Sequence, residues 1–360
     1  MGVLRLLFAI SVVIFHAGLL FGYNIANQNI AVLSFFIISG FYISLILDKK
    51  YTDRKNAHFL FITNRFLRIF PLYWVILLVT FLFVAIKFYF HLGAEDNAIV
   101  HYLKYLPHTS VSVVIFTIIN YVLRNFTLIF TTDYFFINDN TSGYLLVQQA
   151  WTLQVELLFY LLAPLLVKAS NKIFLLFFAV YLVGVFGIVF PFHLVSNVTI
   201  TYVLLRNLLF FLLGMTSYRF LYKKIFMKQI KSYVPIAITL FFLIYVVCYN
   251  VFPFKYPLQA FSITDILYFF VFTCSLPFIF FLTSYSSVDM LIGELSYPVY
   301  ITHFFIIKLL SNITFFKNAS NMRTVVIIIC TLGVSLLAVK LINKPIDRFR
   351  QRRLLAGSVV

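Results

Sequence analysis

The stretch Leu6-Leu7-Phe8-Ala9-Ile10-Ser11-Val12-Val13-Ile14-Phe15-His16-Ala17-Gly18, running on through Ile30-Ala31-Val32-Leu33-Ser34-Phe35-Phe36-Ile37-Ile38-Ser39-Gly40-Phe41 to Leu47, decides the fold class. From Leu6 to Leu47 there is no Asp, Glu, Lys or Arg. A bilayer core is crossed by ~20 apolar residues in helical conformation. The stretch therefore holds two spans, joined by a polar turn from Gly22-Tyr23-Asn24 to Asn29. No small-residue cleavage site follows the first run, so it reads as a retained span rather than a signal peptide.

The rest of the chain agrees. Of 360 residues, 62% are hydrophobic and 11% charged, with mean hydropathy +1.00. A soluble domain has about 25% charged residues, so a soluble globular enzyme and a disordered chain are both excluded. Eleven apolar runs are visible, near 3–22, 30–47, 67–90, 111–130, 153–168, 172–190, 200–221, 233–252, 266–284, 297–315 and 324–342. The expectation is an all-α, polytopic transmembrane helix bundle over residues 1–345, with a basic cytoplasmic tail at 346–360. No internal repeat is evident.

Net charge is +17, from 28 Lys and Arg against 11 Asp and Glu. The cations cluster in short loops between apolar runs, which suits cytoplasmic loops and anionic lipid headgroups rather than nucleic acid. Loop 48–66, the segment near 219–231 and the tail are the basic ones, so all three should lie on the cytoplasmic side. Eleven spans would put 219–231 outside. Removing 111–130, which carries Asn120, Arg124 and Asn125, restores the rule. The expectation is about ten spans plus one embedded or re-entrant segment, with both termini cytoplasmic. The three cysteines form no CxxC and no zinc spacing, so no metal is expected.

Polar groups within apolar runs are costly and usually face a cavity or partner. His16 lies eleven residues after Arg5, on the same helix face, ~16 Å further along the axis. It is either a packing hydrogen-bonder or a general base, since neutral imidazole accepts a hydroxyl proton near neutral pH. Glu156 is the only acid well inside a run. It either packs or orients a histidine or substrate. Arg65 and Arg68 share a helix face and are either topogenic or a phosphate clamp. Ser39-Gly40 allows close helix contact or backbone approach to a ligand. His303 is packing or pathway lining, and Arg124 belongs with the unusual outer-face segment, where it could contact a substrate.

In chain order these stretches resemble the membrane acyltransferase-3 family of bacterial O-acyltransferases. The matching elements are Arg5 with His16, Phe35 to Phe41, Arg65 through Tyr73, Trp151 to Tyr160 with Thr152 in place of the usual Ser, and Gly293 through His303. The family's leader is shortened here to Gly2-Val3-Leu4-Arg5-Leu6. The resemblance implies transfer of an acyl group, most often acetyl, from cytosolic acyl-CoA to a hydroxyl of a surface or lipid-linked glycan, in a bacterial inner membrane. It implies His16 and Glu156 as catalytic, with Arg5, Arg65, Arg68 and Ser39 toward acetyl-CoA. Trp151, Tyr160, Arg124 and His303 would stand toward the acceptor. A transporter or flippase for a lipid-linked glycan is the competing reading, weakened by the absence of repeated halves.

Overall fold

The computed structural model describes residues 1–51, 56–90, 111–129, 145–189, 199–226, 233–251, 263–311 and 320–356. Among these the secondary structure is helical: α1 (Gly2–Ala17), α2 (Gln28–Lys50), α3 (Ala57–Tyr89), α4 (Val111–Thr127), α5 (Trp151–Lys168), α6 (Asn171–Leu182), α7 (Thr199–Thr216), α8 (Tyr233–Val251), α9 (Ile263–Thr283), α10 (Ser287–Glu294), α11 (Ser296–Ser311), α12 (Ser320–Ala338) and α13 (Lys344–Ala356). Wide π-helical turns follow α6 at Val183–Val189, α7 at Ser217–Tyr222 and α12 at Val339–Asn343. Six described helical stretches are long and apolar enough to cross a membrane: Gln28–Lys50, Ala57–Tyr89, Gln148–Lys168, Thr264–Thr283, Ser287–Leu310 and Asn321–Leu355. Shorter apolar helices, among them Gly2–Ala17 and Asn171–Gly187, accompany them. The chain is thus built as a multi-pass membrane protein.

Lipid-facing stripes follow the helical period. On α3, Val75, Leu78, Val79, Leu82 and Ile86 are exposed, at spacings of three and four. The opposite side, including Arg65, Ile69, Leu72, Tyr73 and Ile76, is buried. The main core spreads over Phe8 of α1, Ile37 and Phe41 of α2, Tyr73 of α3, Phe159 of α5, Phe211 of α7 and Phe272 of α9. With lipid as solvent, contacts of this kind are held by packing rather than by hydrophobic transfer. Helices α2 and α7 pack backbone against backbone. A Cβ placed on Gly40 would fall 2.0 Å from the Phe211 carbonyl oxygen, and one on Gly214 would fall 2.0 Å from that of Ile37. Gly40 therefore takes the packing role weighed for the Ser39-Gly40 pair.

The first run stops earlier than its composition suggests. Helix α1 ends at Ala17, and Leu19 through Phe21 belong to the turn. There Leu20 and Tyr23 exchange backbone hydrogen bonds of 3.1 and 2.8 Å. Phe21 and Gly22 have φ of 50° and 81°, the geometry of a type I′ hairpin turn. Within the run 111–130, Val111–Thr127 form the helix α4. Its exposed side is an apolar stripe of Ile115, Ile118, Ile119, Val122, Leu123 and Phe126, what a helix needs to meet lipid. Its end docks on α3. The Tyr73 hydroxyl donates to the Asn125 carbonyl at 2.5 Å, and the Trp74 indole N–H to that of Phe126 at 3.1 Å.

Beyond residue 345, α13 continues from α12 through the wide turn and packs on α3. Arg353 donates to Asn64 Oδ1 at 3.1 Å and to Thr63 Oγ1 at 3.0 Å.

Candidate functional site

Helix α1 carries the organisation, because both its ends are clamped. Its first turn is capped by Asp289 of α10, which accepts from the Gly2 N–H at 2.6 Å and the Val3 N–H at 2.9 Å. A carboxylate there satisfies orphan donors and complements the helix dipole. At the other end, carbonyls that a helix leaves without partners are met from α12. Arg323 donates to the Ala17 carbonyl at 2.7 Å and Thr324 to that of Gly18 at 2.8 Å. Asn321 Oδ1 holds the Phe21 N–H at 2.8 Å. Arg5 and His16 are thereby held near opposite ends of one rigid rod.

Around Arg5 the structure gathers a charged cluster. Arg5 feels Arg68, Tyr42, Glu156 and Tyr160 electrostatically, and Arg65 feels Tyr160, Arg68, Tyr51 and Glu156. Arg65 is only 4% exposed. Its guanidinium sits 5.3 Å from the Phe61 ring centroid and 5.8 Å from that of Tyr160, within cation–π reach. Its Nε has no hydrogen-bond partner among the described residues. Glu156 accepts a hydrogen bond from the hydroxyl of Tyr160, one turn along α5. Tyr297 of α11 joins from the side, donating to the Ile69 carbonyl at 2.7 Å. A buried guanidinium lacking a carboxylate in contact is an expensive arrangement. It fits an anionic ligand with several phosphate oxygens, which guanidinium groups bind through paired donors.

At the far end, His16 is half-buried against α11. Its ring lies 5.6 Å from that of His303 and 4.5 Å from that of Phe304. His303 is fully buried, and its Nδ1 lies 2.7 Å from the Tyr300 carbonyl. A carbonyl only accepts, so Nδ1 carries the proton and Nε2 presents a lone pair. That Nε2 is buried and meets no described partner. Gln149 adds a second acceptor nearby in the chain's packing. Its Nε2 donates to the Ile301 carbonyl at 2.6 Å, while its Oε1 is left open. The Thr152 hydroxyl lies 3.1 Å from that of Tyr300. This end is aromatic and acceptor-rich, where the other is cationic.

Four of the expected donor-side and catalytic residues, Arg5, Arg65, Arg68 and Glu156, meet in one cluster together with Tyr160, and His16 meets His303 in another. The hydrogen bond of Glu156 is to Tyr160, and its charge acts on Arg5 and Arg65 rather than on His16. Trp151 packs against the main core. Ser39 stands half-buried beside the packed Gly40. Arg124 is half-buried on α4, next to Asn125, whose Oδ1 accepts from the Leu146 N–H at 2.9 Å. Sequence reasoning missed Gln149 and Tyr42, both polar groups on apolar stretches, and Asp289, whose capping of a helix 286 residues away leaves no local signal. Among the described residues no group of three or more His, Cys, Asp or Glu gathers.

No curated protein and no solved structure matches the chain. A family model described as an acyltransferase domain does, over residues 1–340. That span takes in both clusters and every helix that shapes them except α13, and the chain belongs to the acyltransferase-3 family.

Proposed function

We propose that the protein is an integral membrane O-acetyltransferase. It moves acetyl from cytosolic acetyl-CoA to a hydroxyl of a surface or lipid-linked polysaccharide, such as lipopolysaccharide O-antigen, capsule or exopolysaccharide. It does so in a bacterial inner membrane, with about ten spans and both termini in the cytoplasm. The observation that carries the reading is the separation of two unlike sites along α1. The cationic one around Arg5, Arg65 and Arg68 suits a phosphate-bearing donor, and the imidazole one around His16 suits an alcohol.

The chemistry needs few groups. Arg65 and Arg68 bind the donor's phosphates, and Arg5 extends that positive field toward the interior. His16 takes the proton of the attacking hydroxyl as its oxygen bonds to the thioester carbonyl carbon. The carbon–sulfur bond breaks, and the sulfur leaves with the electron pair. His303, held by its Nδ1–H, orients the hydroxyl or the His16 ring through Nε2. Glu156 balances charge among the arginines and fixes Tyr160.

The test compares surface glycans of a strain lacking the protein with those of one making the His16→Ala variant, by mass spectrometry. Both should lose the mass of an acetyl group at the same hydroxyl, with the variant normally inserted in the membrane. Retained acetylation in the variant would remove the proposed base. Unchanged glycans in the deletion strain would remove the polysaccharide acceptor.

A further inference from the structure

The cationic cluster is larger than the family's matched residues. Helix α13 lies beyond residue 340 and carries six charged side chains, five of them basic, in Lys344-Pro345-Ile346-Asp347-Arg348-Phe349-Arg350-Gln351-Arg352-Arg353. The wide turn Val339–Asn343 connects it to α12. Such turns shift the helix face that continues beyond them. Here the outcome is a division of the basic residues. Arg348 and Arg352 are exposed, whereas Arg350 and Arg353 are turned inward.

Arg353 is accounted for by its bonds to Asn64 and Thr63, which fasten α13 to the start of α3 one residue from Arg65. Arg350 is not accounted for in the same way. Its side chain is 13% exposed, and it donates through Nη1 to Asp347. Its Nε is buried with no described partner. Arg68, Asp347, Arg65 and Tyr51 all act on Arg350 electrostatically, and the Arg353 bonds hold its helix beside Arg65. So Arg68 acts electrostatically on Arg5, Arg65 and Arg350 alike, and among the described residues the carboxylates acting on those three are Glu156 and Asp347, each already engaged by a neighbour. Like charges brought together out of water repel strongly unless an anion joins them. Arg353 supplies the hydrogen bonds that hold the helix on α3, and Arg350 makes none to α3 among the described residues.

We propose that α13 forms the outer wall of the anion site, with Arg350 closing on a phosphate of the donor from the side opposite Arg65 and Arg68. The ligand class is a soluble nucleotide carrying phosphates at more than one position, of which coenzyme A is the example. The inference rests on the acyl-CoA reading above, and it adds a gripping residue that lies outside the matched family region. A lipid headgroup phosphate offers the same chemistry, and the experiment separates the two.

The full-length protein is placed in nanodiscs of zwitterionic lipid, and binding of coenzyme A is measured by calorimetry, with 3′,5′-ADP as competitor. Arg350→Gln should weaken binding on the order of tenfold, the scale of a lost charge-assisted pair. Arg348→Gln removes the same charge from the exposed side of the helix and should stay within about twofold. Arg350→Lys should recover only part of the loss, because the ammonium lacks the planar fork. It also serves if the Gln variant fails to insert. Losses from Arg350→Gln and Arg68→Gln should be non-additive, as expected of side chains that share one ligand. Equal effects of Arg350→Gln and Arg348→Gln, or additive losses, would overturn the wall while leaving the acyl-CoA reading intact. Binding of inorganic pyrophosphate that depends on Arg350, without binding of coenzyme A, would keep the anion wall and sink the acyl-CoA donor. Competition by phosphatidylglycerol but not by 3′,5′-ADP would assign the site to a lipid and overturn the proposal.

Discussion

The two ends of α1 make opposite use of the same low-dielectric surroundings. At the Arg5 end, guanidinium groups outnumber the carboxylates that could neutralise them, and aromatic rings of Phe61 and Tyr160 flank Arg65. At the His16 end there is no described carboxylate; rings and lone pairs face the imidazole, and Arg323 is engaged on the Ala17 carbonyl at the helix end. A cluster of cations suits an anionic visitor, and ring nitrogens and carbonyls that accept suit a donor of hydrogen bonds. On the proposed reading, the cationic end takes the phosphate-bearing donor and the imidazole end the alcohol.

The sharpest way to break this contrast is at the imidazole. His16→Ala should lower the acyl-transfer rate by about two to four orders of magnitude, the range of a lost general base, with membrane insertion intact by immunoblot. A rate within about tenfold of wild type would make His16 a packing residue. Next comes the arginine end. Arg65→Ala should raise KM for acyl-CoA by roughly tenfold or more with kcat less affected, since its bonds are made in both ground and transition states. A fall in kcat at unchanged KM would move Arg65 from binding to chemistry. His303→Asn keeps a side-chain N–H for the Tyr300 carbonyl and loses the Nε2 lone pair. A drop in kcat on the order of tenfold is expected, read in steady-state kinetics with the acceptor varied. Lys49→Ala is the smallest. Lys49 is exposed and lies over the Tyr222 ring, so its loss should change KM for acyl-CoA by less than about twofold.

Much of this contrast was legible from residues alone. Arg5 and His16 share a face and differ in depth because eleven residues make about three turns, and the helix keeps that arithmetic. Glu156 shows the limit. Its place in an apolar run told its depth class, and nothing told which neighbours α5 would turn it toward. Packing decided that, through Tyr160 on the same helix and arginines from α1 and α3. By composition the segment after 345 reads as a basic tail, because charge dominates it. Its inward arginines emerge only once the turn at Val339–Asn343 has set the helix face. The clamps on α1 were equally invisible, since Asp289 and Arg323 act across nearly the whole chain.

The Gly40–Gly214 contact has a bearing on how such an enzyme can change. With backbone oxygens where side chains would otherwise stand, α2 and α7 mesh like toothed bars and can neither slip nor roll without collision. Ser39 is the residue next to one of those teeth. A helix that contributes no reacting group thus sets the height at which that hydroxyl sits, and remodelling the interior for a bulkier acyl chain would have to begin with α7.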